Sequence, residues 1–208
     1  AWRGTLVCDD YSAYDALFAK GVIEAGCMAH ARRKFVDLHL SQASTIAETA
    51  IDQIRLLYEI ERAAKDLMPE HRLRMRKAMA TPIATHLHAW LVEQRARVPD
   101  GGGIARAIDY SLKRWSGLTR YLSDPALPID NNHDEQQIRP WATGRKNWLF
   151  AGTLAAGKRL AAVMSLVQSA KLNGHDPYAY LKDVLTRLPQ TKDRDIDQLL
   201  PHLWIPSR

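Results

Sequence analysis

The apolar positions of this chain follow two different periods. Near the start, Thr5-Leu6-Val7-Cys8 is a short continuous apolar run that ends on Asp9-Asp10, and Val22 to Met28 is a second such run. Runs of this length bounded by polar residues predict buried strands, the first presenting carboxylates at its C-terminal end. Ser12 to Lys20 between them reads as a short helix closed by Gly21. From Ala29 onward the spacing becomes helical. Ala29 to Leu40 turns Arg32, Arg33 and Lys34 outward and Phe35, Val36 and Leu38 toward a core. Thr45 and Glu48 fit a capping box. Ile46, Ala50, Ile54, Leu57, Glu61 and Ala64 follow at helical spacing, the apolar members forming a stripe. Pro69 suits a first helical position, and Pro82 is expected to divide the segment it lies in. Asp100-Gly101-Gly102-Gly103 is a loop, and Ile104 to Leu122 is expected to be one amphipathic helix with Ile108, Trp115, Leu118 and Leu122 on its apolar side.

Ser123 to Pro128 is a second break, after which the chain changes character. Asn131 to Ile138 reads as a helix behind Asp130 as its N-cap, ended by Pro140 and Gly144. Trp148-Leu149-Phe150 reads as a short strand or buried turn. Ala155 to Leu172 reads as a helix stopped by Asn173-Gly174, and Asp176-Pro177 cap a last helix to Leu188. The tail from Pro189 is charged, with a small apolar end at Leu199, Leu200, Leu203 and Trp204. The pattern predicts a mostly α chain with a small β component.

Composition narrows the class. With 208 residues, 46% hydrophobic and 25% charged, the chain is globular and of a length for one domain or one domain with an insertion. A disordered tail, a collagen-like chain and a disulfide scaffold are excluded. No apolar run approaches the roughly 18 residues of a membrane span, and the N-terminus lacks a signal-peptide pattern. The chain opens on Ala1 rather than Met, which is expected of a chosen boundary or of a cut fragment. Two cysteines give no oxidised framework, so a cytoplasmic compartment is expected. The net charge is +6. Most of that excess lies between Asn131 and His175, where six Lys/Arg face two Asp/Glu. A local basic patch of this kind suggests a polyanionic partner, most often nucleic acid.

Several clusters carry candidate chemistry. A carboxylate at the end of a buried strand, as at Asp9, is held rigidly enough to bind a divalent metal, or it caps the next helix. Asp130-Asn131-Asn132-His133-Asp134-Glu135-Gln136-Gln137 is dense in polar side chains. Glu135 and Arg139 lie on one face there, as an exposed ion pair or as part of a ligand site. Gly144-Arg145-Lys146-Asn147-Trp148 joins two cations, an amide and a large aromatic, which suits phosphate contact and base stacking or a basic turn anchored by a core Trp. Lys158, Arg159 and Lys171 extend the positive character. Cys27-x2-His30 resembles half a zinc site without a second pair, and a buried thiol with a hydrogen-bonded imidazole is the plainer reading. Gly152 to Lys158 matches G-x-x-x-x-G-K, but Arg159 stands where a P-loop needs Ser or Thr. No G-x-S-x-G elbow supports a serine hydrolase.

Five blocks taken in order resemble one family. Asp9-x-Tyr11-x-x-Tyr14, Cys27-Met28-Ala29-His30-Ala31-Arg32-Arg33-Lys34-Phe35 and Ile129-Asp130-Asn131-Asn132-x-x-Glu135 with Arg139-Pro140 come first. Gly144-Arg145-Lys146-Asn147-Trp148-Leu149-Phe150-Ala151-Gly152 and Ala170-Lys171-Leu172-Asn173-Gly174 follow. Together, over nearly the whole chain, they resemble the bacterial insertion sequence 66 family of transposases. The resemblance implies an RNase H-like core with an Asp-Asp-Glu triad that uses two Mg2+ or Mn2+ ions to cut DNA and join its 3′ hydroxyl to a target strand. Asp9 would be the second acid, with Asp10 as fallback, and Glu135 the third. Arg139, Arg145, Lys146, Asn147, Lys158 and Arg159 would contact DNA, and Asp130, Asn131, Asn132, Cys27 and His30 would be accessory. Residues 1–40 and 123–188 would be parts of the core, 41–122 a helical insertion and 189–208 a tail. The triad's first Asp would precede Asp9 on upstream strands, so the chain is expected to be the C-terminal portion of a longer transposase, weak or inactive alone. The active complex would be a homo-oligomer, associated with the bacterial nucleoid. The competing expectation is a non-catalytic DNA-binding or assembly module from a decayed element.

Overall fold

The computed structural model describes residues 2–148 and 151–206, with the side chains of residues 141 and 145–148 outside the description. The chain is mostly helical, with one small sheet, as the hydrophobic pattern predicts. It divides into two compact units, Ala1–Glu135 and Gln136–Arg208.

In the first unit, β1 (Thr5–Cys8) pairs in parallel with β2 (Ile23–Gly26), Thr5 opposite Ile23 and Cys8 opposite Gly26. Parallel neighbours need a crossover rather than a hairpin. Here the crossover holds a 3-10 turn (Ser12–Tyr14) and α1 (Asp15–Phe18), ending at Gly21 with φ 91°. The second apolar run is strand only to Gly26, because α2 (Met28–Gln42) begins one residue beyond Cys27. Both strands therefore point their C-terminal ends the same way, toward Asp9 and the start of α2.

The helical core follows from the stripes. α3 (Thr45–Ala64) buries Ala47, Ala50, Ile54, Leu57, Ile60 and Ala64. Its cap is Ser44, whose hydroxyl accepts from the Ala47 N–H, one residue earlier than the Thr45 capping box. α4 (Pro69–Met75) starts on Pro69, as expected. Pro82 does not divide the segment. α4 runs through a π-helical turn (Arg76–Ala80) into α5 (Thr81–Arg97). A mid-helix Pro clashes with the carbonyl four residues back. The π turn, in which Thr81 N–H reaches the Arg76 carbonyl, gives Pro82 the room it needs. The single helix expected over Ile104–Leu122 is instead α6 (Gly103–Lys113), α7 (Trp115–Leu118) and a 3-10 turn (Arg120–Leu122). The break falls at Arg114, whose guanidinium pairs with both Asp10 and Glu24. Phe35, Ile54, Leu57, Leu87, Leu91, Ile108 and Leu118 are almost wholly buried together. Each such side chain contributes roughly 1.5–3 kcal/mol over exposure.

Arg76 is the exception in this core, at 1% exposure. Its five N–H donors are all used. Two go to Glu61 (2.8 and 2.6 Å) and one each to the carbonyls of Tyr121, Asp124 and Leu127 (2.8, 2.9 and 3.1 Å). Glu61, expected as part of a helical stripe, is thus the acid that makes a buried cation tolerable.

α8 (Asn132–Trp148) continues through Pro140 and Gly144, where the sequence suggested an end. Proline's fixed φ is already near helical, so helix can run on past it at the loss of one N–H. Trp148 closes this helix, while Leu149 and Phe150 lie outside the described residues. In the second unit α9 (Leu154–Leu172) is capped by Thr153 and α10 (Pro177–Arg187) by Asp176. Ala170, Tyr180, Val184, Leu199 and Trp204 form a small core of their own. Tyr180 donates to the Leu199 carbonyl (2.7 Å) and Trp204 Nε1–H to Asp183 (2.7 Å), so the apolar end of the tail folds back on α10. No helix among the described residues is long and apolar enough to cross a membrane.

Candidate active site

The C-terminal edge of a parallel sheet is where open α/β folds gather ligands, because strand ends and helix starts converge there. Asp9 leaves β1 at this edge, and its Oδ1 accepts the Tyr11 N–H at 3.2 Å, an Asx turn that fixes the carboxylate. Asp9, Asp10, Tyr11, His30, Lys34 and Tyr110 all line one cleft of about 310 Å³. The structure separates the two adjacent acids. Asp10 is engaged by Arg114. Among the described residues no cation is paired with Asp9.

His30 sits in the first turn of α2, and its Nε2 lies 3.4 Å from Glu135 Oε1. Its Nδ1 is buried without a hydrogen-bond partner among the described residues. His30 therefore lines the cleft of Asp9 and also contacts Glu135, 126 positions after Asp9 in the chain.

A polar wedge places Glu135. Met28 N–H donates to the Ile129 carbonyl (3.0 Å), which fastens residue 129 to the start of α2. Asp130 then accepts from Tyr58 Oη (2.7 Å), Asn132 N–H (3.1 Å) and Asn132 Nδ2 (2.9 Å). Its two oxygens are committed to fixing the loop. The Asn131 carbonyl accepts the Glu135 N–H (3.0 Å) and opens α8, so Asn131 takes the cap position expected for Asp130, which stands one residue before it. Burial and the bond to Asp130 push the Tyr58 phenol well above its usual range. Cys27 lies behind this wedge, buried beside Cys8, and burial pushes both thiols up, Cys8 to about 11. Neutral buried thiols are poor metal ligands.

Tyr58 and Arg114 were not legible as site residues. Tyr58 has only its place on the α3 stripe to mark it, and Arg114 has no local signal because its partners are 90 and 104 positions away. Of the residues read as DNA-binding, Arg139 is exposed on α8, and Lys158 and Arg159 are exposed on α9, in the second unit. The side chains of Arg145, Lys146 and Asn147 lie outside the described residues. Trp148, read as part of a strand ahead of Gly152, lies in α8, and Arg159 stands where a P-loop needs Ser or Thr.

Asp9 and Glu135 offer hard oxygen donors of the kind Mg2+ prefers. Among the described residues, however, no three His, Cys, Asp or Glu side chains form a metal-holding group. Two carboxylates do not by themselves complete a site for two ions.

Comparison with known proteins gives a match of residues 1–159 to the Transposase IS66 family and of residues 165–202 to the IS66 C-terminal element. Three proteins of Sinorhizobium fredii are similar over almost all of this chain. The uncharacterized protein y4hP is 34% identical, covering 98% of this chain and 40% of its own length. The corresponding figures are 34%, 98% and 42% for y4jD, and 36%, 99% and 40% for y4qI. The chain thus spans about two fifths of the length of these relatives. No solved structure matches.

Proposed function

The chain belongs to the IS66 transposase family, and on that premise we propose that it forms part of the catalytic core of a DNA transposase, in which Asp9 and Glu135 are two of the metal-binding acids. The observation that carries this reading is that His30, which lines the cleft of Asp9, is also the partner of Glu135.

Phosphodiester cleavage and transfer use two divalent ions held by carboxylates about 3.5–4 Å apart. In this proposal the chain contributes two of those carboxylates, and a further one comes from polypeptide beyond these residues. The roles of the chain's own groups follow from their bonding. The Asx turn at Asp9 fixes one acid. Tyr58, Asp130 and Asn132 fix the loop that starts α8, and His30 orients Glu135. The RNase H-like core is proposed for residues 1–40 and 123–188, with residues 41–122 as the helical insertion. Arg139, Arg145, Lys146, Asn147, Lys158 and Arg159 are proposed to neutralise phosphates, a contribution that weakens with salt. The partner is DNA, and the working complex a homo-oligomer.

A Mn2+ titration followed by electron paramagnetic resonance tests the site. The chain is expected to bind Mn2+ weakly, with binding lost in both Asp9→Asn and Glu135→Gln. Binding that neither substitution changes would remove these acids from the metal site and favour a non-catalytic DNA-binding or assembly module.

A further inference from the structure

A second cleft, of about 400 Å³, lies between α2 and α3. Four guanidinium groups line it, those of Arg32, Arg33, Arg55 and Arg62, and no carboxylate does. Tyr58 and Asn132 line it too. These two also hold Asp130, so this cleft and the placement of Glu135 share a wall.

The helix geometry relates this cleft to that of Asp9. Ala29, Arg32, Arg33 and Val36 face the arginine cleft at i, i+3, i+4 and i+7 of α2. His30, Arg33, Lys34 and Asp37 face the Asp9 cleft with the same spacing, one residue on. One residue is about 100° of helix, so the two clefts lie along adjacent faces of α2. Arg33 belongs to both.

Half of this charge has a partner within the chain and half does not. Asp52 and Glu59, which do not line the cleft, hold Arg55 at 3.3 and 2.6 Å, and Glu59 stands 4.0 Å from Arg62. Among the described residues no carboxylate pairs with Arg32 or Arg33. Arg32 and Arg33, without a carboxylate partner on the concave surface, make it a place that favours an anion. Arginine matches phosphate with two parallel N–H bonds. The extent of the cleft selects among phosphates. Arg55 and Arg62 are seven residues apart on α3, roughly 10 Å along the axis. Successive phosphates of a nucleic-acid strand are repeated along it, so a span of this length can meet more than one of them.

We propose that the cleft lined by Arg32, Arg33, Arg55 and Arg62 binds the phosphodiester backbone of a DNA strand, and that Arg33 passes this strand on to the cleft containing Asp9 and His30. The proposal rests on the transposase reading for the identity of the polyanion, and it assigns the binding surface to the first unit, apart from the basic stretch of α8 and α9.

The test measures binding of the chain to fluorescently labelled duplex DNA by anisotropy, without divalent metal, between about 50 and 200 mM salt. The slope of log affinity on log salt is expected to fall by about one for each arginine removed, so by about two in Arg32→Gln/Arg62→Gln. Lys182→Gln/Lys192→Gln, exposed in the second unit, removes the same charge and is expected to leave the slope unchanged. Arg62 is 67% exposed, and Arg62→Gln alone carries the test at half the effect if the double variant does not fold. An unchanged slope in the arginine variants overturns the proposal, as does an equal loss in the lysine control or the absence of DNA binding by the parent chain. Binding of an RNA duplex more than about tenfold tighter, with the same arginine dependence, overturns the assignment to DNA. The Mn2+ titration is independent of these outcomes, so failure of the arginine cleft and failure of the catalytic reading are told apart.

Discussion

His30 Nε2 lies 3.4 Å from Glu135 Oε1, joining the first turn of α2 to the first turn of α8. The imidazole is 21% exposed and the carboxylate 39%. The contact is therefore half-sheltered, and its value is in direction more than in stability. Residues that orient a metal-binding group typically account for 10–100-fold in affinity or activity. His30→Ala is expected to lower metal-dependent strand cleavage by about that factor without loss of fold. His30→Gln, which keeps an N–H near the position of Nε2, should recover part of it. Equal rates for parent and His30→Ala would show that Glu135 needs no such support.

Arg76 is predicted to hold the first unit together. Removing one partner of a buried pair leaves the other uncompensated and costs about 3–5 kcal/mol. Arg76→Ala and Glu61→Ala should each lower the urea midpoint by that equivalent. The paired replacement Arg76→Met/Glu61→Leu should cost less than either alone, because no charge is left buried. Additive losses would contradict this.

Alkaline pH is expected to destabilise the first unit. Burial raises Cys8 from 9.0 to about 11 and Tyr110 from 10.0 to about 12, and it also raises Tyr58 and Tyr121. An acid whose pKa is raised by folding keeps its proton longer in the native state. Its stabilisation is complete below the unfolded pKa and is lost as pH rises through the folded one. Urea midpoints should therefore hold steady from neutrality and decline from pH 9.0 toward about 11, and Cys8→Ala should flatten the first part of the decline. A midpoint independent of pH over that window would contradict the assignment.

Strand and helix touch backbone to backbone at Gly26 and Gly117. A methyl added at Gly26 would meet the Leu118 N at 3.1 Å, and one added at Gly117 would meet the Gly26 N at 3.2 Å. Gly26→Ala is expected to destabilise by about 1–3 kcal/mol through overpacking. Gly157→Ala, inside α9 with its nearest neighbour at 3.7 Å, should instead stabilise its helix by about 0.5–1 kcal/mol. Thermal melts of the two variants in opposite directions would bear this out.

The elements were legible where local pattern decides them. The strand ending at Cys8, the stripe through Ala50, Ile54, Leu57 and Ala64, and the cap at Asp176 rest on spacing and short-range bonds. The continuation past Pro82 and the break at Arg114 were not legible, since one depends on a π turn and the other on partners across the fold. Asp9, Glu135 and His30 could each be picked out from their sequence blocks. The contact of His30 with Glu135 could not, because it depends on the Met28–Ile129 bond and on Tyr58 holding Asp130. The arginine cleft was equally hidden. Arg32 and Arg33 read as the solvated face of a helix, and only packing against α3 sets Arg55 and Arg62 opposite them.

The most direct measurement is strand cleavage and joining in Mg2+ by a polypeptide that carries this chain within the full length typical of its relatives. Asp9→Asn and Glu135→Gln are each expected to slow the reaction by about a hundredfold or more, the loss of roughly 3 kcal/mol of transition-state stabilisation. Asp10→Asn, at the acid already paired with Arg114, should cost far less. Cleavage at the parent rate by both the Asp9 and the Glu135 variants would contradict the account.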